Sequence, residues 1–127
     1  MRERTESQRE AEALGLLGLA RRAGVVTRGI VATRRSVAAD ELGVVLFAAD
    51  ASETQLRKLR GLLRHRAVSV RWVSGKDLLG RALGDHELSV AGVGRGTFAR
   101  QLVERLPETP PAEAGERAPD SLGEDVV

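Results

Sequence analysis

Few residues in this chain have the types and spacing that chemistry needs. It has no cysteine, which removes thiolate nucleophiles, disulfides and cysteine metal sites. Of two histidines, His65 closes a basic helical stretch and reads as solvated. His86 stands in Asp85-His86-Glu87, a polar loop. One histidine beside two adjacent carboxylates is not ligand spacing for a structural zinc, because adjacent strand residues point to opposite faces. No G-x-S-x-G elbow is present. Ser74-Gly75-Lys76-Asp77 resembles the end of a phosphate loop, but the upstream glycine position is Val70 and Asp77 follows the lysine where Ser or Thr is required. Gly92-x-Gly94-x-Gly96 lies between a strand and a helix, as at a dinucleotide site. Its third glycine position is Thr97, however, and no strand follows Leu106 to complete the βαβ unit. It reads as a tight turn. We expect no enzyme activity, no metal and no cofactor.

What remains is arginine. The formal charge of +2 over 127 residues hides an asymmetry. Residues 107–127 hold six acids and one base, Arg117, a charge of −5; the other 19 bases and 12 acids leave +7 on residues 1–106. A basic body of this size is an electrostatic footprint for nucleic acid, or else a solvated arginine-rich surface. Aromatics make up 2% of the chain, and Phe47, Trp72 and Phe98 all sit in apolar patterns. Base stacking on an aromatic platform, as in RRM and OB-type recognition, is therefore disfavoured.

The elements that must position these arginines alternate along the chain. Ser7-x-x-Glu10 is a capping-box pattern that opens a helix to about Arg22, with Gly24 as its stop. Its Gly15 and Gly18 suggest close packing against a neighbour. Val25 and Val26 make a short strand. A second helix runs from near Gly29 to about Ala39, with Ile30, Val37 and Ala38 available for the core. Gly43 breaks the chain before Gly-Val-Val-Leu-Phe-Ala-Ala, a strand buried on both faces that ends at Asp50. Ser52-x-x-Gln55 caps a helix to about His65, with Leu56, Leu59 and Leu63 inward and Arg57, Lys58, Arg60 and Arg64 outward. Ala67 to Val73 alternates as a strand. Ser74 and Asp77 start a short helix with Gly84 as its C′ residue. Glu87 to Val93 forms another strand, and a last helix carries Phe98 and Leu102 and ends before Pro107. About four strands and five helices imply an α/β fold with helices on both faces of a central sheet.

The expected organisation is a flexible N-terminus (1–6), one folded domain (7–106) and a disordered acidic, Pro-rich tail (107–127). The charged N-terminus lacks the apolar core of a secretory signal. The longest apolar run, Val44 to Ala49, is too short to span a bilayer. A cytoplasmic protein is expected, monomeric and without a membrane partner.

Three segments carry a family resemblance between Leu14 and about Leu106: LGLARRAGVVTRG, GVVLFAADASETQLRKL and SGKDLLGRALGDHELSVAGV. In order and spacing they resemble the L-seven-Ae/L-thirty-e ribosomal protein family, and within it the small bacterial YlxQ-type proteins. The resemblance implies a three-layer α/β/α sandwich around a mixed four-stranded sheet. It also implies binding of kink-turn or related structured RNA, ribosomal RNA or the ribosome among the expected partners.

Carried over by position, the resemblance assigns the recognition turn to Thr27, Arg28 and Gly29, followed by Ile30 and Val31. Gly29 matches a family glycine that lets the backbone approach RNA closely, as a residue without Cβ can. The helix N-terminus there offers unpaired N–H groups to a phosphate. Arg35 falls where the family has a basic residue, and Arg34 adds charge. Leu88, in the late loop, matches an apolar contact to a flipped-out nucleotide, although Asp85 and Glu87 beside it would repel phosphates. One departure stands out. Where kink-turn-specific members have Asn-Glu to read guanine edges, this chain has Val31 and Ala32, neither of which can hydrogen-bond a base. Two alternatives stay open: a protein-interaction module of the same fold, and a severed RNA-recognition domain of an RNA ribose methyltransferase.

Overall fold

A computed structural model describes residues 4–111. The chain folds as α1 (Glu6–Arg22), β1 (Val26–Arg28), α2 (Ile30–Ala38), β2 (Leu42–Ala48), α3 (Glu53–Leu63), β3 (Ser69–Val73), α4 (Lys76–Ala82), β4 (Val90–Gly94) and α5 (Thr97–Arg105). The strands form one sheet in the order β1-β4-β2-β3. β2 and β3 are parallel, while β4 is antiparallel to both β1 and β2.

The side-chain period of two along each strand divides the core in two. Val44, Leu46 and Ala48 of β2, with Ala91 and Val93 of β4, pack beneath Ala13 and Leu17 of α1, Leu79 of α4 and Leu102 of α5. Val45 and Phe47 of β2, with Trp72 of β3 and Val90 of β4, pack beneath Val37 of α2 and Leu56, Leu59 and Leu63 of α3. The architecture is thus a three-layer α/β/α sandwich around a mixed four-stranded sheet. Phe47 and Trp72 meet edge to face at 5.2 Å between centroids. Phe98 packs partly buried against the first cluster.

Several local readings of the sequence need correction. α1 is capped by Thr5, not Ser7: Thr5 and Gln8 make the reciprocal capping box. Glu10 instead crosses the molecule and accepts from the backbone N–H and hydroxyl of Ser74, at 2.7 and 2.9 Å. α4 is capped by Gly75 without a side-chain bond, so Ser74 serves α1 and not its own helix. Gly18 lies 3.7 Å, at its Cβ position, from the Ala82 carbonyl, but nothing approaches Gly15. Gly43 does not break β2. It lies within the strand beside a register shift, where a Cβ would sit 2.9 Å from that of Ala99. Ala38, expected in the core, is exposed.

At the C-terminal end, the Trp72 N–H donates to the Pro107 carbonyl and Arg71 pairs with Glu108 at 3.5 Å, so this stretch runs beside the β3 edge. The rest of the expected tail, 112–127, lies outside the described residues, as do residues 1–3. Among the described residues no helix is long and apolar enough to cross a membrane.

Candidate nucleic-acid interface

The parallel pairing of β2 with β3, and the antiparallel run of β4, bring four loops to one edge of the sheet. The N-termini of α2, α3 and α4 and the loop before β4 meet there. Short hydrogen bonds tie them together. The Gly29 N–H donates to the Val90 carbonyl at 2.9 Å. The Ser89 hydroxyl donates to Gln55 at 2.8 Å. Asp50 accepts from the Lys76 N–H at 2.8 Å.

At the centre of this edge the chain turns from β1 into α2 through Gly29, with φ +90° and ψ 168°. An L side chain in this region is strained by about 1–3 kcal/mol. A Cβ at Gly29 would meet nothing within 4 Å, so conformation, and not crowding within the fold, requires glycine. The Gly29 carbonyl accepts the first helical bond, from Thr33 at 3.1 Å. No side chain caps α2, and its first turn holds no acid. The leading N–H groups of α2 therefore face outward with a partial positive charge, the usual basis for holding an anion.

The turn is braced from inside. Thr27 and Thr33 share a hydroxyl–hydroxyl bond of 3.0 Å, and Thr33 is fully buried, the one buried polar side chain among the described residues. This residue carries no charge and belongs to no motif noted in the sequence. A threonine three places inside a predicted helix start was the available signal. Arg28 donates from Nη1 to the Leu83 carbonyl at 3.2 Å. It thereby caps the C-terminal end of α4, where a cation is favoured.

The expected site residues divide accordingly. Arg28, Arg34 and Arg35 are exposed, and Arg34 and Arg35 make no side-chain hydrogen bond or ion pair among the described residues. Val31 is 72% exposed, the most exposed large apolar residue described. Thr27 and Ile30 are half-buried, Ile30 packing on the core under α2. Leu88 is the exception: at 9% exposure it belongs to the core between the sheet and α1, α4 and α5. Its side chain is spent on packing, so the expected contact with a nucleotide is withdrawn from Leu88. The loop around it presents Asp85, His86 and Glu87, with Lys76 3.9 Å from Glu87. The loop crosses α4 so closely that a Cβ on Gly80 would lie 2.5 Å from the His86 carbonyl oxygen.

The site thus combines a braced glycine turn and an uncapped helix N-terminus with exposed, unpaired arginines further along α2. Residues 11–99 match the ribosomal protein L7Ae/L30e/S12e/Gadd45 family. The chain belongs to this family. Among solved structures of similar fold, a protein of unknown function from Bacillus halodurans is 33% identical, with 74% of this chain and 95% of that one covered and a TM-score of 0.70. The Giardia lamblia 15.5kD RNA binding protein is 21% identical, with 92% and 90% covered and a TM-score of 0.65. At that identity the second likeness shows the fold alone. No curated protein matches the chain in sequence.

Proposed function

We propose that this family member is a non-catalytic, ribosomal or ribosome-associated RNA-binding protein that holds structured, kink-turn-like RNA at the turn and helix around Gly29. Family membership supports an RNA-binding role, and a protein of the same fold from Giardia lamblia is described as RNA binding. The observation that carries the reading is the Gly29 turn itself. It leaves open space at a glycine whose backbone an L side chain would strain, and the uncapped N–H groups of α2 start there; Arg28 is exposed beside it, and Arg34 and Arg35 are exposed further along α2. Phosphate contacts of this kind position RNA, and shape supplies selectivity where base contacts are lacking.

The test is a double change, Arg34→Gln with Arg35→Gln. Neither side chain has a described partner, so the fold is expected to keep its stability. Loss of two phosphate contacts flattens the dependence of log affinity on log salt by about 1.4–1.8. A gel-shift titration with a kink-turn RNA at several salt concentrations reads it, and an unchanged slope rejects the site. One observation favours a second reading. Val31 is exposed and apolar where relatives read bases, which suits a protein partner, and binding to no RNA at low salt would put that reading ahead.

A further inference from the structure

The outer surface of α3 has a feature that the Gly29 site does not explain. At about 100° per residue, Arg57, Gly61 and Arg64 form one row opposite the buried Leu56, Leu59 and Leu63, with Lys58 beside it. Arg57, Lys58 and Arg64 are exposed and make no side-chain hydrogen bond or ion pair among the described residues. Arg60, on the same helix, behaves differently. It pairs with Glu53 at 2.8 Å and lies over the rings of Phe47 and Trp72, so it serves the fold.

Gly61 sits in the middle of the basic row. It lies in the interior of an exposed helix face, where glycine is disfavoured relative to alanine. A Cβ there would meet nothing within 4 Å, so no packing within the described fold requires its absence. A glycine that the fold does not need, ringed by three unpaired cations, leaves a shallow bare patch of helix backbone. A phosphodiester strand can approach such a patch more closely than it can approach a side chain.

The patch is also placed to continue the Gly29 site. α2 and α3 lie side by side on the same face of the sheet and both start from the same edge. Gly29 and Gln55 bond to neighbouring residues of the chain, Val90 and Ser89. At the far end Arg66 reaches the Ala38 carbonyl. α2 carries no acid at all, and α3 only Glu53, which Arg60 occupies.

We propose that the Arg57–Gly61–Arg64 face of α3, with Lys58, is a second phosphate-contact surface that receives the backbone of a helical arm of the RNA held at Gly29. It rests on the RNA-binding reading above and adds a surface to it. The occupant is the RNA backbone, chosen on charge: the row carries three unpaired cations, and its one acid, Glu53, is paired with Arg60.

The test compares a minimal kink-turn RNA with one whose flanking helix is longer by about one turn, both titrated with the full chain. The wild type is expected to bind the longer RNA several-fold more tightly. Arg57→Gln/Lys58→Gln/Arg64→Gln should abolish that gain and flatten the salt slope for the longer RNA by about 2–3. Gly61→Leu should melt at or above the wild-type Tm, since leucine is the better helix former, yet also lose the gain. Arg34→Gln/Arg35→Gln should weaken both RNAs and keep it. A length gain that survives the triple change, or a Gly61→Leu protein that binds the longer RNA as wild type does, overturns this proposal while leaving the Gly29 site standing. If Arg34→Gln/Arg35→Gln alone is silent, the Gly29 reading falls, and with it the claim that the α3 face extends that site. A wild type that binds neither RNA withdraws both.

Discussion

Replacing Val31 by Asn and Ala32 by Glu restores the residue types with which kink-turn-specific relatives read guanines, and the structure allows the consequence to be worked out. Val31 is 72% exposed, so its loss removes little buried surface. Valine and asparagine have similar helix propensity, and alanine to glutamate costs a few tenths of a kcal/mol. Ala32 lies in the first turn of α2, where a carboxylate gains about 0.3–1 kcal/mol from the helix dipole. The stability of the double variant should therefore stay within about 0.5 kcal/mol of wild type, as denaturant unfolding will show. Binding should change more. A bidentate base contact gives about 1–3 kcal/mol of discrimination, by analogy with duplex readout, and about 1.4 kcal/mol is ten-fold. The variant should prefer a kink-turn RNA over a control with disrupted G·A pairs by about ten-fold, a preference the wild type lacks. The added carboxylate should weaken the control complex, because it stands among the phosphates that Arg34 and Arg35 attract. A folded variant that binds both RNAs with equal affinity would refute docking of RNA at this turn.

Other consequences concern the scaffold and the acidic segment. Gly80→Ala places a Cβ 2.5 Å from the His86 carbonyl oxygen; the loop backbone must move, and unfolding free energy should drop by about 1–3 kcal/mol. Thr33→Val keeps the shape but leaves the half-buried Thr27 hydroxyl without its partner, costing about 1–2 kcal/mol in urea unfolding and weakening RNA binding through the turn. Truncation after Pro111 removes five acids and one base; RNA affinity should rise modestly at low salt and converge with wild type at high salt, because a tethered acidic segment competes for the basic face. Equal affinities at low salt would make that segment a bystander.

The arrangement of layers was legible because the apolar periods are clean. Val44 to Ala48 has no polar residue, and so short a run, rich in β-branched and aromatic residues and bounded by Gly43 and Asp50, suits a strand covered on both faces. Leu56, Leu59 and Leu63 leave one choice of inner face for α3. Local detail was less legible where two residues compete for one role. Thr5 and Ser7 both precede a glutamine or glutamate by three positions, and only the distant demand of Ser74 on Glu10 decides between them. Gly43 reads as a break in the sequence; it proves, like Gly80, to be a point where another segment crosses. At the site, Gly29 could be identified because its backbone need is local. The burial of Leu88 could not, since it depends on helices far away in sequence, and Thr33 went unseen because its partner is another neutral hydroxyl.

The most direct test of the RNA site is a map of backbone amide shifts on titration with a kink-turn RNA. The account predicts that the largest changes fall on Thr27 to Arg35, with the Ile30, Val31 and Ala32 amides foremost because the leading N–H groups of α2 face the phosphate, the Gly29 N–H being bonded to Val90. Changes confined to other surfaces, such as the cleft of about 440 Å³ between Gly43, Arg95 and Arg100 at the opposite end of the sheet, with the Gly29 turn silent, would contradict it.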